Sequence, residues 1–233
     1  MSLPEVEHPA PQRNAPLRMV VLISGSGSNL QALIDAQTKG LINTHIVAVI
    51  SNRPDVKGLQ RADHASIENH CLNHRDFEDR QSFDQALHQK IQHYQPDLVV
   101  LAGFMRILTA EFTRQYVGKM INIHPSLLPK YQGLNTHQRA IDDGQSQHGC
   151  SIHFVTEELD GGPVIAQAQV PVLKEDDAQA LAQRVQQQEH WLFPQCVKWF
   201  GERRIALKTG KIYLDEEILP KSGKQFSGMT SLS

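Results

Sequence analysis

Cysteine is scarce in this chain, and its thiols are too dispersed for a structural role. Cys71, Cys150 and Cys196 are the only three, lie far apart and form no Cys-x-x-Cys spacing. The sequence therefore predicts neither a disulfide framework nor a zinc site, and it fits a reducing compartment. No other grouping of His, Cys and Asp has convincing metal spacing, so no metal is expected.

A basic excess is missing as well. The formal net charge is -2 and the isoelectric point is near 6.6, which leaves no surplus of cations to neutralise a phosphate backbone. We therefore expect small-molecule substrates and no nucleic acid. No run approaches the ~20 apolar residues of a membrane span, and the N-terminus lacks the apolar stretch of a signal peptide. The expected location is cytoplasmic, with no membrane partner.

Short apolar runs alternate with helical patterns through the first half of the chain. Residues 19–23, 46–50 and 98–102 are rich in branched apolar side chains, and helical spacing is found at 57–69 and 80–94. This alternation predicts an α/β protein with a Rossmann-like three-layer fold, in which a mostly parallel, twisted sheet carries helices on both faces.

The second half departs from that alternation. Residues 151–155 and 164–170 are separated by a turn too short for a helical crossover, so we expect them to pair as antiparallel strands and make the sheet mixed. A long helix, capped by Asp176 or Asp177, should run to about Phe200 and be broken or bent near Pro194.

The expected domain organisation is simple. Residues 1–17 are predicted to be a flexible tail, 18–214 a single domain that ends in a hairpin, and 215–233 a second tail that frays beyond Pro220. No segment of the sequence indicates the oligomeric state, and the sequence is compatible with a monomer or a homodimer.

A glycine loop lies between the first strand and the first helix. Ser-Gly-Ser-Gly-Ser-Asn at 24–29 places free backbone N–H groups and the positive end of a helix dipole where an anion could bind. The loop lacks the third glycine of a dinucleotide fingerprint and the Gly-Lys-Ser/Thr of a P-loop. A tight structural turn therefore remains as good an interpretation as an anion site.

Two further motifs carry groups suited to acyl transfer. Asn122-Ile-His124-Pro-Ser-Leu-Leu-Pro129 ends an apolar strand, and Leu159-Asp160-Gly-Gly-Pro163 forms a later turn. Asn can hold a carbonyl oxygen, His can carry a proton near neutral pH, and Asp can orient that His. Taken singly, each of the three also fits an ordinary structural position.

Together these motifs resemble the folate-dependent formyltransferases, and within that family the enzymes that formylate glycinamide ribonucleotide. The resemblance runs from about Met19 to about Leu214 and includes Gly103-Phe-Met-Arg-Ile-Leu108 and Gln188-Glu-His190. It implies transfer of the formyl group of 10-formyltetrahydrofolate to the amine of 5-phosphoribosylglycinamide in purine biosynthesis, by direct transfer through a tetrahedral intermediate. Asn122 would donate to the oxyanion, His124 would donate and act as general acid, and Asp160 would orient His124 and raise its pKa.

The same resemblance implies two sets of ligand-binding residues. The phosphate and ribose of the nucleotide would contact Gly27, Ser28, Asn29 and Glu189. The folate would contact Arg80, Met105, Arg106, Ile107, Leu108, Asn122, Thr156 and Asp160. From the residues alone, Glu189 would be an exposed helical carboxylate, Arg80 a solvated surface group and 105–108 an ordinary loop.

Three positions depart from the family pattern. Asn135 stands where a histidine is usual, Gln132 where proline is common and Cys150 where threonine is common. We expect the change at Asn135 to affect a supporting contact.

Two other functions are open. A formyltetrahydrofolate deformylase would use water as acceptor, and a non-catalytic module would bind both ligands without turnover. Intact Asn122, His124 and Asp160 argue against the module.

Overall fold

A mixed sheet forms the centre of the molecule. The computed structural model describes residues 15–227, and its eight-stranded sheet has the order β11-β7-β6-β5-β4-β1-β2-β3, beside a small sheet of order β10-β9-β8. The strands are β1 (Leu17–Ile23), β2 (Thr44–Ser51), β3 (Asn69–Cys71), β4 (Leu98–Leu101), β5 (Met120–His124), β6 (Gln147–Phe154), β7 (Val164–Pro171), β8 (Ile205–Lys208), β9 (Lys211–Leu214), β10 (Glu217–Ile218) and β11 (Lys224–Ser227).

The parallel and antiparallel parts of the sheet meet at β5. Strand β1 is parallel to β2 and β4, and β4 is parallel to β5. Strand β6 is antiparallel to both β5 and β7, as the short connection between 155 and 164 predicted. The expected mixed, mostly parallel sheet is therefore confirmed.

The helices cover both faces of the sheet. They are α1 (Ser28–Thr38), α2 (Lys57–His64), α3 (Arg80–His93), α4 (Ala110–Arg114), α5 (Thr136–Asp142) and α6 (Ala178–Gly201). Alternate residues of β1 enter two separate cores, Val21 beneath α1 and α6 and Val20 against α3 and α4, because successive side chains of a strand point to opposite faces. The expected three layers are confirmed. No helix in the described part of the chain has the length and apolar character needed to cross a membrane.

Helix α6 is continuous through Pro194, so of the two predicted outcomes, a break or a bend, the break is excluded. Asp177 caps its start by accepting a hydrogen bond from the Ala180 N–H at 2.7 Å. Proline removes one backbone hydrogen bond. On either side of it, however, the fully buried Phe193 and Val197 pack into the core, and this burial stabilises the helix there.

The C-terminal segment is part of the fold, which corrects the expectation of a tail from 215 onward. Strand β10 pairs with β9, and β11 pairs in parallel with β7 at the edge of the main sheet. The Phe226 ring lies 4.8 Å from Trp191 and 6.4 Å from Trp199 of α6. A single aromatic side chain in a polar segment gave no periodic signal, yet it anchors the strand. The expected start of the domain at residue 18 falls one residue after the start of β1 at Leu17, and residues 1–14 of the expected N-terminal tail lie outside the described residues.

Replacing Phe226 with alanine should weaken this edge of the sheet. Because the ring is partly buried against two tryptophans, we expect the free energy of unfolding to fall by roughly 1–3 kcal/mol, less than for a fully buried phenylalanine. Urea unfolding measures the change. Leu173→Ala, at a half-exposed position, is the control, and its free energy of unfolding should stay near parental. Unchanged stability of the Phe226 variant would contradict the anchoring role.

Candidate active site

The candidate site lies at the carboxyl edge of the parallel strands. Leu22 of β1 is in register with Leu101 of β4, and Leu101 is in register with Asn122 of β5. The segments that leave these strands are therefore neighbours in space, at the edge where open α/β sheets place ligands. They are the glycine loop, the 103–108 segment and the loop after His124.

His124 and Asp160 meet, as the two motifs predicted. The His124 Nδ1 and Asp160 Oδ2 atoms are 3.4 Å apart, and both side chains are buried. This separation is an ion-pair distance but is long for a hydrogen bond. Catalytic contacts of this kind often tighten only when substrate is bound.

One loop holds both members of the pair. The His124 Nε2–H donates to the carbonyl oxygen of Tyr131 at 2.8 Å, and the Gly133 N–H donates to Asp160 Oδ2 at 2.9 Å. The Gln132 side-chain amide donates to the Asp160 carbonyl oxygen at 3.3 Å. The position that departs from the family pattern thus adds a contact to the catalytic turn.

The ionisation of the pair differs from the expectation in one respect. Burial lowers the pKa of His124, and this effect outweighs the opposing contributions of the Tyr131 carbonyl and the Asp160 carboxylate. The pKa of Asp160 is lowered despite its burial, because His153, the Gly133 N–H and His124 stabilise the carboxylate. The predicted raised pKa of His124 is therefore wrong for the substrate-free protein: the site pairs a carboxylate with a neutral imidazole at neutral pH.

His153 is a site residue that the sequence motifs did not reveal. Its Nε2 lies 3.1 Å from the Asn122 amide nitrogen and 3.6 Å from Asp160 Oδ1, and its Nδ1 lies 3.0 Å from the Phe154 carbonyl oxygen. If Nδ1–H donates to that carbonyl, the Nε2 lone pair accepts one Asn122 N–H and fixes the direction of the amide. The second Asn122 N–H is then left for a ligand. The antiparallel register that pairs Asn122 with His153 was the signal that could have found it.

The turn that carries Asp160 depends on close backbone approach. Asp160 itself has a φ of 50°, which Asp tolerates better than most residues. At Gly162 a Cβ atom would lie 1.9 Å from the Phe154 carbonyl oxygen, so only glycine fits there. The glycine at 162 is thus required by the geometry that presents the carboxylate.

A small pocket opens beside Asn122 on the folate side. Its volume is about 90 Å³, and its lining contains six of the predicted folate residues together with His153. Those six are Arg106, Ile107, Leu108, Asn122, Thr156 and Asp160. Met105 is 59% exposed and does not line it, and Arg80 is an exposed residue in the first turn of α3.

On the nucleotide side, the predicted residues come together. Gly27 is the N-cap of α1 with a φ of 69° and supplies no side-chain cap, which leaves first-turn N–H groups for an anion. The Asn29 amide donates to Glu189 at 2.9 Å, and Glu189 is buried, which raises its pKa. Ser28 accepts from the Gln186 amide at 3.1 Å. The expectation of an exposed Glu189 is therefore wrong, because α6 packs against α1 at this point.

Ser24 connects the two ligand sides, and no sequence signal pointed to it. Its hydroxyl donates to Asn52 Oδ1 at 2.6 Å and accepts from the Met105 N–H at 2.7 Å. The end of β1 therefore fixes the start of the 105–108 segment.

Behind His124 lies a pair of histidines, of which His148 is buried and His137 is half-buried. The His137 and His148 rings are 5.1 Å apart in an edge-to-face arrangement, and burial lowers the pKa of both, that of His148 to about 4. Asn135 occupies the left-handed N-cap position of α5, which asparagine tolerates well. Among residues 15–227, no group of three or more His, Cys, Asp or Glu side chains is placed to hold a metal ion.

Acid should destabilise the fold through His148. Its folded pKa is about 4 against an ordinary 6.5, so the unfolded chain binds more protons between these values. Stability is therefore complete above pH 6.5 and is lost as the pH falls toward 4. We expect His148→Gln to remove roughly 1–3 kcal/mol of that pH dependence, measured by urea unfolding across the range. The exposed His45→Gln is the control, and equal slopes for parental protein and His148 variant would refute the assignment.

Comparison with known proteins identifies the family. The formyl transferase family model matches residues 17–197. The chain is 49% identical over 207 residues to phosphoribosylglycinamide formyltransferase of Escherichia coli strain K12, a match that covers 89% of this chain and 98% of that protein.

Solved structures agree. Phosphoribosylglycinamide formyltransferase from Coxiella burnetii has a TM-score of 0.88 at 49% identity, over 91% of this chain and 99% of that one. A formyltetrahydrofolate deformylase from Pseudomonas putida KT2440 has a TM-score of 0.78 at 29% identity, over 88% of this chain and 72% of that one. The residues matched by the family model include every side chain of the site described above. The chain belongs to the formyl transferase family.

Proposed function

We propose that this protein transfers the formyl group of 10-formyltetrahydrofolate to the amine of 5-phosphoribosylglycinamide, a step of purine biosynthesis. The observation that carries the proposal is the meeting of Asn122, His124 and Asp160 between the helix start at Gly27, which has no side-chain cap, and the pocket beside Asn122. The high identity to phosphoribosylglycinamide formyltransferases over nearly their whole length supports this acceptor.

The pocket has apolar side chains and polar groups suited to a folate, but its volume is too small to hold one. Ligand pockets commonly have roughly 300–1,000 Å³, so a cavity of about 90 Å³ must widen as the pterin enters. Ile107 and Leu159 at its mouth are about half exposed. Bound folate would cover these apolar side chains, and main-chain groups of the 106–108 segment would form the polar rim.

The acceptor would bind on the opposite side of the catalytic trio. Its phosphate would sit at the start of α1 on Gly27, Ser28 and Asn29, and its ribose hydroxyls would contact Glu189. The Asn29–Glu189 hydrogen bond supports this pairing, because it brings the two residues to one wall of the site.

The residues divide the chemistry among them. Asn122, oriented by His153, donates its second N–H to the oxyanion that forms as the amine attacks the formyl carbon. Neutral His124 takes a proton from the attacking amine, through water, and then gives one to the folate nitrogen as that nitrogen leaves. Asp160 and the Tyr131 carbonyl stabilise the imidazolium between these steps, in a site from which water is largely excluded.

Formyl release should depend on the nucleotide acceptor. We expect 10-formyltetrahydrofolate to be consumed at an appreciable rate only when 5-phosphoribosylglycinamide is present, as followed by absorbance of the folate product. Release into water alone would favour the deformylase, and binding of both ligands without release would favour the non-catalytic module.

Replacing Asp160 with asparagine should lower kcat by about 10² or more. The amide keeps the shape of the side chain and can still accept from Gly133, but it no longer stabilises a charged imidazole. Steady-state kinetics on a variant shown to be folded by circular dichroism measures the effect. Asp142→Asn, at an exposed position of α5, is the matched control. Near-parental turnover of the Asp160 variant would remove the carboxylate from the mechanism.

A further inference from the structure

A buried carboxylate lies directly beneath the folate-lining segment. Asp84 of α3 is 3% exposed, and its Oδ2 accepts a hydrogen bond from the Thr109 N–H at 2.6 Å. Thr109 follows the 105–108 segment immediately and is the N-cap of α4. Asp84 therefore fixes the far end of the segment whose near end is held by Ser24.

The other oxygen of this carboxylate is unmatched. Among residues 15–227, Asp84 Oδ1 is buried without a hydrogen-bond partner, and so is the Nε–H of Arg106. The Arg106 guanidinium carbon lies 4.5 Å from the centre of the Phe83 ring, beside Asp84 in the chain. A buried acceptor on Asp84 and a buried donor on Arg106 are thus both unpaired, and the positive charge of Arg106 lies close enough to act on the Asp84 carboxylate. Such groups are costly to leave unpaired.

The charges around Asp84 favour an ion pair between Asp84 and Arg106 once the pocket widens. Burial raises its pKa, while the Thr109 N–H and the positive charges of Arg106 and Arg80 oppose that rise. Arg106 also lines the folate pocket, which has to widen to admit a pterin. As the pocket widens, Arg106 can exchange its contact with the Phe83 ring for one with the free carboxylate oxygen of Asp84.

We propose that Asp84 is a positioning residue for the formyl donor, whose free oxygen takes the Arg106 guanidinium when folate widens the pocket. The inference rests on the proposed function, because it assigns a folate to this pocket. It adds that the 105–108 segment is held in its ligand-bound shape by an ion pair beneath it.

The variant Asp84→Asn separates this role from a structural one. The carboxamide oxygen can still accept from the Thr109 N–H, but the side chain has no charge to attract Arg106. We expect the KM for 10-formyltetrahydrofolate to rise about tenfold, with kcat, the KM for 5-phosphoribosylglycinamide and the thermal midpoint near parental. Ile91→Val, in the last turn of the same helix, is the control: it should lower the thermal midpoint and leave the folate KM unchanged.

A double-mutant comparison and a binding measurement complete the test. If the two residues act as a pair, Asp84→Asn should add little to the effect of Arg106→Gln on the folate KM. Binding of 5-formyltetrahydrofolate, measured by calorimetry, should weaken in parallel and needs no turnover. An unchanged folate KM and affinity in Asp84→Asn, or fully additive effects with Arg106→Gln, would overturn the inference. The parental protein's dependence on the nucleotide acceptor tests the proposed function separately.

Discussion

The three-residue loop Tyr131–Gly133 holds His124 and Asp160 together, and the proposed chemistry depends on it. Its first residue supplies the carbonyl for His124, and its last supplies the N–H for Asp160. The imidazole comes from a parallel strand and the carboxylate from the turn after an antiparallel strand, so neither element alone could fix their separation. A mixed sheet brings the two motifs close, and the loop sets the distance between them.

Burial gives this pair its chemical character. A carboxylate removed from water is unstable unless hydrogen-bonded, and Asp160 Oδ2 accepts a hydrogen bond from the Gly133 N–H at 2.9 Å. An imidazole removed from water prefers to be neutral, which leaves His124 free to accept a proton. In the proposed mechanism, the proton that His124 accepts would create the charge that Asp160 already faces. The surroundings of the imidazolium would then be in place before that ion forms.

The sequence was enough to predict the site residues that stand in motifs. It was not enough to predict those that contact the site from a neighbouring strand or helix. Asn122, His124 and Asp160 could be singled out because they stand in motifs that resemble a known family, and the structure brings His124 and Asp160 together. His153 and Asp84 lie in ordinary strand and helix patterns, and they join the site only through strand register and helix packing. Likewise, Lys224–Ser227 forms a strand because Phe226 packs against two tryptophans of α6. Such tertiary contacts cannot be predicted from a local sequence pattern. The lowered pKa of His124 depends on burial, which depends on the whole fold.

The most direct test of this account is the pKa of His124, measured by nitrogen NMR of the labelled imidazole in the parental protein and in Asp160→Asn. The account predicts a pKa below the ordinary value for histidine in the parental protein and a still lower one in the variant, because the variant keeps the burial and loses the carboxylate. An equal or higher pKa in the folded variant would contradict the claim that Asp160 stabilises the charged imidazole.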